Sequence, residues 1–173
     1  SRRNFEGFKM TLKEEEVILE MAIVWCKSRD WVPQSTQLDT MMELRAGGLH
    51  RVVEAATGSG KTEVDTPVMG LAYRKLSIMD DYGRRPVVFE FNTEGLRNDA
   101  FKSHEKSWQK VGKELGEDLK AVKYDDTMPS EQARNALEGA DFIYVTQKDR
   151  QAALLQERLG LDDYTFSVFA NAA

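Results

Sequence analysis

The sequence predicts an α/β protein in which a parallel β-sheet, with helices on both faces, is preceded by N-terminal helices. Two observations lead to this prediction. Short runs of β-branched and aromatic residues alternate with helical segments from His50 onward, and one strand-to-helix turn is rich in glycine. Connections as long as a helix between successive strands indicate parallel pairing, because antiparallel neighbours can be joined by a tight turn.

Two helices are predicted before the first strand. Apolar residues at helical spacing predict a helix from Leu12 to Lys27, with Thr11 as its N-cap and Glu14 as the capping-box partner. Pro33 excludes continuation of this helix, since the residue before a proline disfavours helical geometry. A second helix is predicted from Ser35 to Arg45.

Strands and helices are predicted to alternate through the rest of the chain. The strands run from His50 to Ala55, Pro86 to Phe91, Leu119 to Tyr124, Ala140 to Val145 and Tyr164 to Phe169. The helices run from Lys61 to Ile78, Asn98 to Leu115, Ser130 to Leu137 and Lys148 to Leu159. Pro67 is expected to kink the first of these helices, and Ser130 is predicted to cap the third.

Length and composition indicate one α/β domain with an extension. The 173 residues can bury a sizeable core, and 41% hydrophobic and 31% charged residues are ordinary for a globular protein. Residues 1–32 are predicted to form an N-terminal helical extension and residues 33–173 the α/β domain. A net charge of −5 gives no general attraction to nucleic acid, although a local basic groove remains compatible with it.

The cysteine content and the lack of long apolar runs favour a cytoplasmic protein. Cys26 is the single cysteine, which excludes an internal disulfide and a cysteine-based zinc site. It follows an apolar run and is predicted to be a small buried residue. No stretch of the sequence reaches about 18 uninterrupted apolar residues.

The strongest functional signal is the segment Thr57-Gly58-Ser59-Gly60-Lys61-Thr62, which has the pattern of a phosphate-binding P-loop. Gly58 and Gly60 lack a Cβ, so backbone N–H groups can turn toward phosphate oxygens. Lys61 would place a positive charge on the β- and γ-phosphates, and the Thr62 hydroxyl would bind Mg²⁺. A glycine–serine turn that matches by chance is the alternative, but the segment follows a predicted strand and opens a predicted helix.

Residues on either side of this segment resemble one class of P-loop protein. Ala55 stands where the pattern has its first glycine, and Ala-x-Thr-Gly-Ser-Gly-Lys-Thr resembles motif I of superfamily 2 helicases and translocases, which are RecA-like ATPases. Upstream, Pro33-Gln34-Ser35-Thr36-Gln37 resembles the Q-motif of DEAD-box proteins. The resemblance implies that the Gln37 side-chain amide recognises adenine. It would donate a hydrogen bond to a nitrogen on the edge of the base and accept one from the exocyclic amine. The alternative is a solvated glutamine on a helix.

Two later segments resemble SecA in particular. Residues 91–101 are similar to the SecA stretch after its second strand, and residues 128–146 to a later SecA segment. The likeness covers about Pro33 to Phe169 and implies the first motor domain of a SecA-like translocase, a fragment of a larger two-lobe motor that binds ATP and Mg²⁺. The alternatives are the first domain of a DEAD-box-type nucleic-acid helicase, and a non-hydrolysing nucleotide-sensing or interaction module.

The resemblance also implies partners. These are a second RecA-like lobe, a polypeptide substrate in preference to nucleic acid, and a membrane translocon reached through the parent protein, which would make that protein peripheral to a membrane. In such motors the residues from Thr93 to Arg97 lie at a strand end that faces the polymer. Arg97 and Asn98 are therefore candidates for contacts with its backbone, and capping of the next helix is the alternative. The pair Thr146-Gln147 has the same two interpretations.

The chain departs from this family after its last predicted strand. The residues there are Ala170-Asn171-Ala172-Ala173, where such motors carry an Asp-Glu pair that holds Mg²⁺ and polarises water. Asp162 and Asp163 precede the strand and lie at its wrong end. Natural degeneration, deliberate substitution and an altered terminus are three accounts of the difference. We expect this chain to bind nucleotide weakly and to hydrolyse it slowly or not at all.

The remaining candidate residues are predicted to be structural. His50 and His104 are expected at the surface or half-buried, and both aspartate pairs, Asp80-Asp81 and Asp125-Asp126, are expected in turns. A basic helical face is expected to be solvated in preference to contacting phosphates; it consists of Lys102, Lys106, Lys110 and Lys113.

Overall fold

A computed structural model describes residues 12–31, 61–80, 86–152, 155, 157 and 166–169, with the backbone alone at residues 61, 62, 151 and 166–169. The helices are α1 (Leu12–Ser28), α2 (Thr66–Met79), α3 (Glu94–Leu115) and α4 (Ser130–Leu137). The strands are β1 (Val87–Phe91), β2 (Ala121–Lys123), β3 (Phe142–Thr146) and β4 (Phe166–Phe169). A π-helical turn, Lys61–Asp65, leads into α2, and a 3₁₀ turn, Asp149–Gln151, follows β3.

The four strands form one sheet in the order β2-β3-β1-β4, and every pair is parallel. The predicted α/β class with a parallel sheet is therefore confirmed. Each residue of β1 and β3 is buried, as expected for strands covered on both faces.

Alternate side chains of the central strands enter two separate cores. Val87 and Phe89 face the side on which α2 and α3 lie, with α1 packed across those two helices. Val88 and Ile143 face the other side, which α4 and Leu155 cover. This alternation follows from the period of two along a strand, and it gives the predicted helices on both faces.

The handedness of the crossovers explains the division of the helices. From β1 the chain passes through α3 beyond β3 to β2, and then returns through α4 to β3. These two connections move in opposite directions across the sheet. Because parallel crossovers are right-handed, opposite directions require opposite faces.

Several predicted boundaries shift because local capping differs from the sequence pattern. α3 begins at Glu94 and not at Asn98, since the Thr93 hydroxyl accepts the N–H of Leu96 at 3.2 Å. The prediction that Ser130 caps α4 is wrong, because Pro129 is the N-cap and no side chain caps this helix.

Two other helices depart from regular α-geometry. Pro67 lies in the first turn of α2, where proline is tolerated, and the irregularity precedes it as the π-turn Lys61–Asp65. The helix predicted from Lys148 begins as the 3₁₀ turn Asp149–Gln151. The predicted helix over residues 35–45, the predicted strand over residues 50–55 and the domain boundary at residues 32–33 lie outside the described residues.

An aromatic layer fills the core beneath α3. The rings of Trp108 and Phe142 stack with centroids 4.0 Å apart, and Phe89 stacks on Phe142 at 5.8 Å. The Tyr144 hydroxyl accepts the indole N–H of Trp108 at 2.9 Å and lies 2.6 Å from Nδ1 of His104. His104 is fully buried, so the prediction of a surface or half-buried position is wrong. Its ring provides a polar partner that allows a tyrosine inside the core.

A buried ion-pair network closes the edge of the sheet at which the strands begin. Arg74 of α2 donates to Asp141, which immediately precedes β3, at 3.1 Å. The same guanidinium forms a two-pronged pair with Glu117 in the loop after α3, at 3.0 and 3.1 Å. Arg74 therefore joins α2 to two loops at the amino edge of the sheet, and a planar fork suits this role better than an ammonium group.

The close approach of α2 to β1 predicts that Gly70→Ala destabilises the protein. A Cβ at Gly70 would lie 2.6 Å from the ring of Phe89, so helix and sheet would have to separate. We expect a loss of about 1–3 kcal/mol in the free energy of unfolding, as for other overpacked cores, measured by urea denaturation.

Gly95→Ala is the matched control because it also lies in a helix. A Cβ at Gly95 would meet nothing nearer than the Thr93 hydroxyl at 3.9 Å. We expect it to be neutral or stabilising by up to about 1 kcal/mol. Equal effects of the two substitutions would contradict the close packing of α2 on β1.

Candidate functional site

The helix that follows the predicted P-loop begins near the carboxyl edge of the sheet, the edge at which the parallel strands end. Gly70 packs on Phe89, and Arg74 bonds to Asp141 at the amino edge, so α2 runs antiparallel to the strands. Lys61 precedes Gly70 by nine residues, a helical rise of about 13 Å. That rise equals about four strand residues. Since Gly70 lies beside Val87 and Phe89, the Lys61 backbone is level with the end of β1 at Phe91 or up to two residues beyond it.

Of the predicted ligands of ATP and Mg²⁺, the described residues include the backbone of two. Lys61 and Thr62 open the π-turn. Gln37 and the segment Thr57–Gly60 lie outside the described residues, so their predicted roles remain predictions. Short π-helical segments frequently occur at functional sites, because the wider turn redirects the backbone.

Side chains from two other helices hold the middle of the π-turn. The indole N–H of Trp25 donates to the carbonyl oxygen of Glu63 at 2.7 Å. The Glu63 carboxylate accepts from Arg29 at 2.6 Å and from the Ser103 hydroxyl at 2.7 Å. Glu63, directly after Thr62, is thus fixed by α1 and α3 together. No local sequence pattern predicts these partners, which lie 34 or more residues away along the chain.

A second cluster brings together the ends of β2 and β3 at the carboxyl edge. Arg97 of α3 is buried; it donates to the carbonyl of Tyr124 at 2.8 Å and to the carboxylate of Asp149 at 3.0 Å. The Thr146 hydroxyl donates to the same Asp149 oxygen at 2.8 Å and accepts its N–H at 3.2 Å. This reciprocal pair resembles a capping box, and the spacing Thr-x-x-Asp is the sequence signal that could have identified Asp149.

Asp125 and Asp126 complete the cluster and lie in the predicted turn. Hydrogen bonds from the backbone and hydroxyl of Thr127 hold the pKa of Asp125 below its usual value. A hydrogen bond with Asp149 raises the pKa of Asp126 above its usual value. Burial and the neighbouring carboxylates raise the pKa of Tyr124.

This acidic cluster is the one place among the described residues where carboxylates gather closely enough to hold a cation. One oxygen from each of Asp125, Asp126 and Asp149 lies within 4.8 Å of the others. The Arg97 guanidinium already supplies the positive charge, 3.0 Å from Asp149 and 3.8 Å from Asp125. Arg97 therefore compensates part of the negative charge of this cluster within the protein.

Predicted polymer contacts at this edge divide into buried and exposed residues. Arg97 and Thr146 are buried and bonded to Asp149. Asn98 is exposed and accepts from the Nε of Arg97 at 3.2 Å, and Gln147 is exposed with its N–H bonded to the carbonyl of Phe91. The bonds of Arg97 are internal and do not cap its helix, which Thr93 caps, while Asn98 and Gln147 present side chains to solvent.

One further carboxylate lies at the end of β1 on the face that α4 covers. Glu90 is buried, and Arg150 donates to it at 2.8 Å. Burial raises the pKa of Glu90, and the charge of Arg150 opposes part of this increase. Sequence reasoning missed this pair because Glu90 falls within an otherwise apolar strand.

Cys26 and the basic face of α3 agree with their predictions, whereas His50 and Asp81 lie outside the described residues. Cys26 is buried, and burial raises the pKa of its thiol, which disfavours the reactive thiolate. The four lysines predicted to form a basic face on α3 are all exposed. Within the part of the chain that the structure describes, no helix combines the length and the apolar character needed to cross a membrane.

Comparisons with protein-family models, with curated proteins and with solved structures found no match to this chain.

The Arg97 network predicts a large loss of stability for Arg97→Met. The substitution removes the cation beside the buried Asp149 carboxylate, and breaking a buried pair costs about 3–5 kcal/mol. Urea denaturation at neutral pH measures this loss. Lys106→Ala, at an exposed position of the same helix outside the Arg97 network, is the control, with an expected change within about 0.5 kcal/mol. A loss below about 1 kcal/mol for Arg97→Met would contradict the assignment of this network as structural.

The raised pKa of the buried Glu90 carboxyl group predicts how the stability of the protein changes with pH. The folded protein holds the Glu90 proton more tightly than the unfolded chain, so the contribution of Glu90 to stability falls as pH rises from its ordinary value of 4.5 through the raised pKa. The variant Glu90→Gln does not titrate there. Its free energy of unfolding should therefore increase relative to wild type between pH 4 and pH 7, measured by urea denaturation across that range. A decrease would contradict desolvation as the dominant effect.

Proposed function

We propose that this chain binds ATP with Mg²⁺ as the first, RecA-like motor domain of a SecA-like translocase ATPase. The observation that supports this proposal most directly is the position of Lys61. The P-loop sequence Thr57–Thr62 leads into a helix that begins level with the carboxyl end of a parallel strand. Open α/β sheets bind their ligands at that edge, and a helix beginning there directs its positive end at a phosphate.

The handedness of the sheet supports the same site. α2 lies on the same face as α3, and right-handed crossovers on that face move the chain from the β4 side toward the β2 side. A strand preceding α2 would therefore belong beside β4. The strand predicted over residues 50–55 is therefore expected on that side of the sheet, with the P-loop sequence following its carboxyl end.

Within this proposal the residue roles follow the chemistry of their side chains. Lys61 would neutralise the β- and γ-phosphates, and Thr62 would bind Mg²⁺, which lowers the charge repulsion between phosphate oxygens. Gly58 and Gly60 would let the backbone approach the phosphates, and Gln37 would read adenine. Glu63 is compatible with a nearby anion because the guanidinium of Arg29 compensates its charge at 2.6 Å.

A specific observation favours binding over turnover by this chain. Ala170 and Asn171 follow β4, where motors of this class have their paired carboxylates. Two acidic residues described at the carboxyl edge are already in ion pairs and do not replace them, because Asp149 is bonded to Arg97 and Glu90 is bonded to Arg150. A non-hydrolysing nucleotide-binding module is therefore the second candidate. Hydrolysis, the second lobe, the polypeptide substrate and a membrane translocon belong to the proposed parent motor.

Direct binding measurements test the nucleotide site. Titration calorimetry with MgATP should detect binding, and Lys61→Ala should weaken it by about 10- to 100-fold, since hydrogen bonds to charged groups contribute about 1.5–3 kcal/mol. Lys102→Ala, an exposed lysine of α3, is the control and should bind as wild type does. Absence of binding by the wild-type chain would contradict the proposal.

A phosphate-release assay on the same samples distinguishes a complete ATPase from a binding module. We expect no steady turnover by this chain, because the paired carboxylates that polarise the attacking water are missing. Turnover that disappears in Lys61→Ala would contradict this expectation and would favour an intact enzyme.

A further inference from the structure

Arg29 lies one residue after α1 and joins that helix to the π-turn. One guanidinium nitrogen donates to the Glu63 carboxylate at 2.6 Å and to the Ser103 hydroxyl at 3.0 Å. The other donates to the backbone carbonyl of Ser103 at 2.9 Å and to the Ser107 hydroxyl at 3.2 Å. The Arg29 side chain is 13% exposed, so these bonds form largely away from water, where they are stronger.

Two aromatic rings fix the plane of this guanidinium. The Trp31 ring centroid lies 4.5 Å from the central carbon of Arg29, and the Trp25 centroid lies 5.7 Å from it. Both distances permit cation–π attraction. Trp25 also donates to the Glu63 carbonyl oxygen at 2.7 Å. Arg29 and Trp25 therefore hold the side chain and the backbone of Glu63 at the same time.

The π-turn needs such support because its geometry is less favourable than that of an α-helix. Isolated π-helical turns are rare and persist where the surrounding structure determines them. Glu63 is the middle residue of the turn, and Lys61 and Thr62 come immediately before it. The bonds to Glu63 thus constrain the residues from which the proposed phosphate and Mg²⁺ contacts would be made.

We propose that Arg29 is a positioning residue for the nucleotide site, acting through Glu63 to hold the π-turn that presents Lys61 and Thr62. The inference rests on the proposed function. It implies reciprocal coupling: nucleotide binding strengthens the attachment of α1, and attachment of α1 strengthens nucleotide binding. Such coupling would make α1 part of the site although it lies outside the P-loop.

A positioning role of Arg29 can be distinguished from a purely electrostatic effect on the nucleotide. The two explanations predict opposite changes in nucleotide affinity when the charge of Glu63 is removed. If charge alone mattered, removing the negative Glu63 would strengthen binding of an anionic nucleotide, and removing the positive Arg29 would weaken it. If the π-turn must be held, Glu63→Gln and Arg29→Met both weaken binding. Arg29→Lys keeps the charge but loses the fork, so it should give an intermediate affinity.

The matched control is another ion pair between the same two helices. Lys27 of α1 donates to Glu114 of α3 at 3.0 Å, and both side chains are about half-exposed or more. Among the bonds of the described residues, neither Lys27 nor Glu114 has one to the π-turn. Lys27→Met therefore removes a link between α1 and α3 without affecting Glu63, and its affinity should remain within about twofold of wild type.

The experiment titrates a fluorescent ATP analogue with Mg²⁺ into the full chain and follows amide hydrogen exchange of residues 61–69. We expect Arg29→Met and Glu63→Gln to weaken binding by about tenfold, which corresponds to about 1.4 kcal/mol. Exchange in residues 61–65 should accelerate while exchange in β1 and β3 stays unchanged, because the sheet does not depend on this pair. The double variant should be no weaker than the single variants.

The outcomes distinguish this inference from the proposed function. Wild-type affinity in Arg29→Met, or tighter binding in Glu63→Gln, with Lys61→Ala still defective, would overturn the positioning role alone. No binding by the wild-type chain would overturn both. If Arg29→Met fails to fold, the nucleotide affinity of Glu63→Gln decides whether the positioning role holds. This variant should fold, since the Glu63 side chain is 37% exposed and tolerates an isosteric change.

Discussion

The packing of α2 against β1 determines where most other parts of the molecule lie. Gly70 allows the helix backbone to reach the ring of Phe89, and Arg74 fixes the end of the helix to the amino edge of the sheet. With that end fixed, the beginning of the helix must lie near the carboxyl edge. α1 and α3 then pack beside α2, which brings Arg29 and Ser103 within reach of Glu63.

Charges at the carboxyl edge are largely compensated inside the protein. The strands are parallel, so polar residues that follow them gather at one edge, and their like charges require a counter-ion. Arg97 fills this requirement for Asp149 and Asp125, and Arg150 does the same for Glu90. Charged residues at a strand end are therefore not in themselves signs of ligand contact; of the predicted polymer contacts here, the neutral Asn98 and Gln147 are the exposed ones.

The proposed nucleotide site combines a strong sequence motif with an incomplete catalytic set. Binding depends on groups that act on the ground state of the nucleotide, namely the P-loop amides, Lys61 and Thr62. Hydrolysis also requires a carboxylate that orients water, and two of the carboxylates described nearby, Asp149 and Glu90, are already paired with arginines. This division is the reason that we propose nucleotide binding without turnover for this chain, and the proposed coupling of α1 through Arg29 concerns that binding alone.

By itself the sequence determined the α/β class, the parallel strands and α1, because hydrophobic periodicity and helix-length connections are local properties. It also determined the P-loop prediction, since Gly58, Gly60 and Lys61 act within one short segment. The contacts of Arg29, Arg97 and the buried His104 were decided by tertiary structure. Each depends on partners 27 to 78 residues away that only packing brings together, and no local pattern contains that information.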